Sequence, residues 1–402
     1  MKIKKEVIST NDIVLCLLLV AATNFANKYF YIVFIAFAVY LFFVQRVYFN
    51  LETICLFILS LSTVFFAPWT RDTVLTMIKP FVYPMCYMMG MGMFAQRCGT
   101  ADIAAKEKYT GRVFIAIASG NFIHYLLNWV TNIDADKRNT VDFWTHEVLA
   151  STNQAVMGII ALGVAIAVIF GKTGATKKVI ALVIIALIMT YNLILAGRTL
   201  IALLLIGIAI ASIFRLLAVK ENRLKFLLIL LCVILTITLC WKMDLFGIKS
   251  GIEQSLLYDR FTGEYSLEVT EDGRMENKLQ YLKMIWQYPL GGANVRKQVG
   301  HAHDIFLDTF DESGVFAFLA IVLYLIMAIT RLIRGLKSKC ISYNMKQLLL
   351  CVYSVTFIMF CLEPILVNAS WFFAGFCTMD GCASALINGN KGETTCPIRS
   401  DA

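Results

Sequence analysis

Apolar residues run through this chain in long blocks separated by short polar breaks, and the blocks recur from one end to the other. They fall near 13–26, 29–44, 51–67, 75–95, 112–130, 152–170, 179–195, 199–219, 224–243, 304–330, 347–367 and 369–388. A helix crossing a hydrocarbon core takes about 17–25 apolar residues. The pattern therefore predicts an all-α polytopic membrane protein of about 12 transmembrane helices, or eleven if the first two blocks form a hairpin or one broken span. The expectation is a single integral membrane domain over 1–402, with one large extracytoplasmic loop at 244–303.

Two polar stretches are too long to be turns. The first, Thr131 to Ala150, carries Phe143 and Trp144, and that pair predicts an interfacial helix at headgroup depth. The second runs from about Asp244 to Gly300. Within it Met275, Leu279, Leu282, Ile285 and Trp286 recur at helical spacing between Arg274 and Tyr288. That spacing predicts an amphipathic helix, stopped by Pro289 and Gly291-Gly292. A loop of this length in a compact protein is usually functional.

Composition agrees with the pattern: hydrophobic residues make up 59% and charged residues 16%, against about 25% charged in a soluble domain. The net charge of +9 is distributed as a topology signal and calls for no nucleic acid. Lys2, Lys4 and Lys5, then Arg97, Lys106, Lys108 and Arg112, then Lys172, Lys177 and Lys178, then Arg215 to Lys225, then Arg331 to Lys346, mark alternate loops as cytoplasmic. Both termini are then cytoplasmic. The basic start mimics a signal peptide, but it lacks a clear small-residue cleavage site and further spans follow. Most of the twelve cysteines lie inside apolar blocks. The expectation for them is small buried hydrophobes, with no disulfide framework.

The candidate chemistry sits at the end of the long loop. His301, His303 and Asp304 precede the block that opens at Ile305, and Asp308, Asp311 and Glu312 follow in its first turns. A lone histidine there would ordinarily be an interfacial residue holding a carbonyl. A pair of imidazoles beside carboxylates is instead a candidate for proton transfer from a hydroxyl, with Asp304 or Asp308 as orienting group. The same side chains are also metal ligands by type, although His-x-His alone is a weak signal and no second cluster accompanies it. Arg198, Arg260, Arg274 and Arg296 fall on the same predicted side of the membrane. Each alone reads as snorkelling; together they supply forked, permanently charged groups suited to phosphate oxygens. Glu363, before Pro364, closes a block on that side as well. The turn at Gly171 to Lys178 lacks Walker spacing, so nothing points to nucleotide use.

These elements in this order resemble the bacterial O-antigen ligase and O-antigen polymerase superfamily. The resemblance rests on His303-Asp304 followed after nine residues by Gly314, on Gly197-Arg198-Thr199, on Asp272-Gly273-Arg274 followed by Trp286 and Tyr288-Pro289-Leu290-Gly291, and on Glu363-Pro364. It covers about Thr190 to Pro364, and the N-terminal half only by topology. The chain departs from the family pattern at Asp304, where asparagine, serine or glutamine is usual, at Gly197 in place of serine, and at Ala317.

The resemblance implies a membrane glycosyltransferase that moves a glycan from undecaprenyl diphosphate to an acceptor glycan or glycolipid on the outer side. Arg198 and Arg274 would hold the diphosphate, and His303 would be the general base. Arg296, His301, Asp304 and Glu363 would line the substrate site. It implies no metal and no cofactor, and contact with other polysaccharide-assembly proteins. A repeat-unit polymerase is the first expectation and a ligase to a lipid A-core acceptor the alternative. A proton-coupled transporter is the rival from another class, and it would place ionisable residues near mid-span.

Overall fold

The computed structural model describes residues 10–44, 47–67, 77–98, 102–133, 140–219, 223–244, 253, 258 and 271–389. Much of the long loop, Arg260 included, and Asp134, Asp136, Lys137 and Arg138 of the first polar stretch lie outside the described residues.

Each of the twelve apolar blocks is occupied by a helix: α1 (Thr10–Ala22), α2 (Tyr29–Val44), α3 (Leu51–Phe66), α4 (Val82–Cys98), α5 (Ile103–Thr131), α6 (Ser151–Phe170), α7 (Ala175–Ile194), α8 (Thr199–Ala218), α9 (Arg223–Lys242), α11 (Ile305–Lys337), α12 (Tyr343–Phe360) and α13 (Ser370–Gly389), with α10 (Glu271–Met284) in the loop. Helix is the structure such blocks must take in lipid, where every backbone N–H and C=O needs an internal partner. Polar caps set the starts: Asn50 accepts from Thr53 N, Asp102 from Ala105 N, and Ser342 from Met345 N. Among the described residues, α5, α6, α7, α8 and α11 are long and apolar enough to cross a membrane, while α1, α2 and α3 are shorter apolar helices.

Burial distinguishes centre from rim. The apolar stretch of α6 is 78% buried and that of α7 only 22%. Accordingly α6 packs against α5, α7, α8 and α12, α13 packs on α4 and α5, and α11 lies along α3. The interior is rich in fully buried aromatics, Tyr87, Tyr324, Tyr353, Phe372 and Phe373 among them, while Phe42, Phe65, Leu205 and Leu217 face outward.

The contacts near the helix ends fall into two sets. On one face Ser342 N donates to Glu107 Oε1, Lys172 N to Asn344 Oδ1, and Arg215 to Phe170 O. On the other, Trp144 Nε1 donates to Thr23 O, Tyr29 pairs with Ser370, Ser313 with Thr63, and Lys278 with Cys361 O.

Four expectations need correction. The predicted interfacial helix around Phe143-Trp144 is a two-stranded hairpin, Thr140–Val141 against Val148–Leu149. Asp142 decides this locally, because its Oδ1 accepts from the N–H groups of Trp144 and Thr145 and so turns the chain. The block at 304–330 is not one uninterrupted helix, since α11 breaks at Gly314 (φ 83°, ψ −179°). Helix α10 starts at Glu271, three residues before Arg274, and of the predicted apolar positions whose side chains are described only Ile285, in the 3-10 turn that follows it, is buried. Tyr281 and Ile285 go inward, whereas Leu279, Leu282 and Trp286 are more than half exposed. The inward face is chosen by what it packs against, namely Val295, Ala302 and Phe310. Finally, eight described cysteines are free thiols as expected, but Cys340 is disulfide-bonded.

Candidate functional site

The break in α11 is where the long loop docks. At Gly314 the helix loses its internal hydrogen bonds, and the segment Pro289–Ala293 supplies replacements. Pro289 O accepts from Val315 N (2.8 Å), Gly292 N donates to Glu312 O (3.2 Å), and Ala293 N donates to Asp311 O (2.7 Å). The two backbones touch: a Cβ on Gly314 would lie 2.8 Å from the Leu290 carbonyl carbon, and one on Gly291 would lie 2.7 Å from Gly314 N. Both glycines also have φ above +80°, a conformation costly for any side chain. Two elements that the sequence shows only as separate motifs, Tyr288–Gly291 and Gly314, are therefore one structural unit.

Carboxylates on the first turns of α11 fasten the rest of the loop. Asp311 accepts from Val295 N (2.8 Å) and Arg296 N (3.1 Å). Asp308 accepts from Ala302 N at Oδ1 (3.1 Å) and from Asp304 N at Oδ2 (3.0 Å). Asp304 caps the helix, with Oδ1 taking Phe306 N and Leu307 N, while Oδ2 meets Lys278 Nζ at 3.2 Å. Tyr281 OH donates to Gly300 O (2.6 Å) from the buried side of α10. Negative groups at a helix N-terminus are stabilised there by its backbone dipoles, so this arrangement suits its place in the fold.

The structure brings His301, His303, Asp304 and Arg296 together around this mouth. His301 Nδ1 lies 3.5 Å from Asp308 Oδ1. The two imidazole centroids are 6.1 Å apart, and His303 has φ 57°, a left-handed conformation uncommon outside glycine. Arg296 sits close enough to act electrostatically on Tyr281 and Glu312. Burial raises the Tyr281 hydroxyl well above its ordinary range, and the nearby Asp311 and Asp308 charges push the same way. Lys278, which in the sequence is only a spacer between apolar positions, bridges Asp304 and Cys361 O. It thereby links α10 to the end of α12, where Glu363 is buried two residues later.

The other predicted residues are placed less closely. Arg198 stands immediately before α8, after a turn in which Ala196 has φ 50° and Asn192 Nδ2 donates to Gly197 O (2.6 Å). A Cβ at Gly197 would fall 2.3 Å from Asn192 Oδ1. Arg274 lies in the first turns of α10, and its side chain is outside the described residues. Among the described residues no group of three or more His, Cys, Asp or Glu side chains is placed to hold a metal ion.

Two further polar clusters are not apparent from the sequence pattern. Arg331 on α11 forms ion pairs with both Asp380 on α13 and Glu52 on α3, and Tyr353 OH donates to Asp380 (2.7 Å). The charge pattern counts Arg331 as a surface marker, yet it is 2% exposed. The available signal was Asp380, a lone acid inside an apolar block, which is costly in a membrane without a partner. The second cluster joins His124 Nε2 on α5 to Asp142 Oδ2 in the hairpin at 2.8 Å.

No family model matches this chain, and no curated protein matches it.

Proposed function

We propose that the protein is a glycosyltransferase of the bacterial plasma membrane, using undecaprenyl-diphosphate-linked glycan as donor and acting on the outer side. The acceptor is another lipid-linked repeat unit in a polymerase, and a lipid A-core or other terminal acceptor in a ligase. The observation that carries this reading is the mouth of α11. Two histidines, Lys278 and Arg296 surround the start of a membrane helix, on a loop pinned there by Gly314, Asp308 and Asp311.

The chemistry suits such a mouth. A base from the His301–His303 pair takes the acceptor proton as the hydroxyl attacks the anomeric carbon. Arg198 and Arg274, by the resemblance, receive the diphosphate as it leaves, an electrostatic task for which guanidinium forks are suited. With the basic loops facing the cytoplasm, this mouth and Arg198 share the outer face.

The test is glycan transfer in proteoliposomes from purified lipid-linked repeat units, read as polymer length and yield. Replacing His301 and His303 together by alanine is expected to cost about 10²–10⁴-fold, and Arg198→Lys to impair transfer because a point charge lacks the bidentate grip. Full activity of the double histidine variant refutes the reading. A chelator arm, with a divalent ion added back, tests metal dependence.

One observation favours the transporter as a second reading: the Glu52–Arg331–Asp380 cluster puts ionisable groups inside the bundle. Proton flux into proteoliposomes that disappears in Asp380→Asn and survives the double histidine variant would select it.

A further inference from the structure

His301 and His303 are two residues apart but are not equivalent. The carboxylate beside His301 is fixed: Asp308 is 4% exposed, and each of its oxygens is already held by a backbone N–H, Ala302 at Oδ1 and Asp304 at Oδ2. The residues flanking His301 are fixed too. Ala302 is fully buried, and Tyr281 OH holds the carbonyl of Gly300. His301 Nδ1 is itself buried, 3.5 Å from Asp308 Oδ1, although 36% of the side chain is exposed. The accessible part of the ring is therefore the edge away from Nδ1, where Nε2 lies.

We propose that His301, oriented by Asp308, is the imidazole that takes the proton of the attacking acceptor hydroxyl, with His303 holding the acceptor opposite it. This rests on the glycosyl-transfer reading above. With its hydrogen on Nδ1 directed at Asp308, His301 presents an Nε2 lone pair to the mouth, the arrangement in which an acid fixes the tautomer of a base. The 3.5 Å separation is long for a hydrogen bond, and such contacts commonly tighten once substrate is bound. The two ring centroids are 6.1 Å apart with the planes inclined at 52°, so one acceptor group between them can meet both imidazoles.

The step balances without a co-reactant. The acceptor O–H proton goes to His301 Nε2 and from there to water at the exposed edge. The acceptor oxygen forms the new bond to the anomeric carbon, and the carbon–oxygen bond to the diphosphate breaks with its electron pair. The diphosphate leaves as the anion that Arg198 and Arg274 receive. Asp308 is a positioning residue, since it acts through His301 and touches no reacting atom.

Two measurements test this, one of them independent of activity. The chain has only four histidines, so nitrogen-15 NMR of histidine-labelled protein in nanodiscs resolves each ring, and His301→Gln assigns its signal. The expected result is the Nδ1–H tautomer at His301 in the wild type, shifting towards Nε2–H in Asp308→Asn. An Nε2–H tautomer in the wild type overturns the orientation, whether or not Asp308→Asn folds. In the transfer assay, His301→Gln is expected to lower kcat by about 10²–10⁴-fold, while His303→Gln chiefly raises KM for the acceptor. Wild-type transfer with His301→Gln keeping kcat within about twofold overturns the assignment and leaves the glycosyl-transfer reading standing. If the wild type transfers nothing while His301 shows the Nδ1–H tautomer, the glycosyl-transfer reading and its catalytic step both fail, and only the His301–Asp308 pairing survives.

Discussion

The hairpin at Thr140–Leu149 is held to the helices by Asn128, Asn132 and Gln154 and by Asp142 on His124, and replacing Asp142 by asparagine isolates that last contribution. Asp142 is 3% exposed, with Oδ2 on His124 and Oδ1 on the N–H groups of Trp144 and Thr145. Burial pushes its carboxyl up, but the His124 hydrogen bond, the His124 charge and the two N–H groups outweigh that and bring it from 3.8 to about 2. A depression of this size corresponds to about 2 kcal/mol of stabilisation of the docked hairpin. Because the folded carboxyl titrates below the unfolded one, the contribution is complete above about pH 4 and is lost as pH falls towards about 2.

The Asp142→Asn side chain keeps an oxygen for the backbone N–H groups and loses the charge facing His124. In nanodiscs at neutral pH, hydrogen–deuterium exchange at Trp144 and Thr145 is therefore expected to accelerate about thirtyfold in Asp142→Asn, the equivalent of about 2 kcal/mol. The second arm is thermal unfolding from about pH 5 to about pH 2, where the gap between wild type and variant should close as Asp142 itself becomes neutral. Exchange unchanged within about threefold, or a gap that stays constant across that range, would refute the reasoning.

Gly314→Ala should destabilise the fold by about 1–3 kcal/mol and loosen the loop, because its Cβ meets the Leu290 backbone; an unchanged melting curve would separate the break from the loop. Arg331→Met leaves two acids without their guanidinium and should cost about 3–5 kcal/mol, with much of the loss recovered by adding Asp380→Leu and Glu52→Gln. Cysteines placed at Lys177 and Lys297, in a background stripped of reactive native thiols, should label from opposite sides of the membrane, Lys297 from outside. Labelling of Lys177 from outside would invert the topology.

Some of this was legible residue by residue. Blocks of about twenty apolar residues can satisfy their backbones in lipid only as helices, so the twelve helical positions followed from composition and length alone. His301, His303 and Asp304 stood out because they interrupt oil with titratable groups, and the stop at Pro289 followed from its missing N–H. Partner choice was not legible, because it depends on which helix faces come together. The register that sets Pro289–Ala293 against Gly314 arises only when the loop folds back. The face of α10 that goes inward is decided by Val295, Ala302 and Phe310. Arg331 meets Glu52 across 279 positions and Asp380 across 49. Such contacts are fixed by helix packing, since local periodicity says which side of a helix is apolar but not which neighbour covers it.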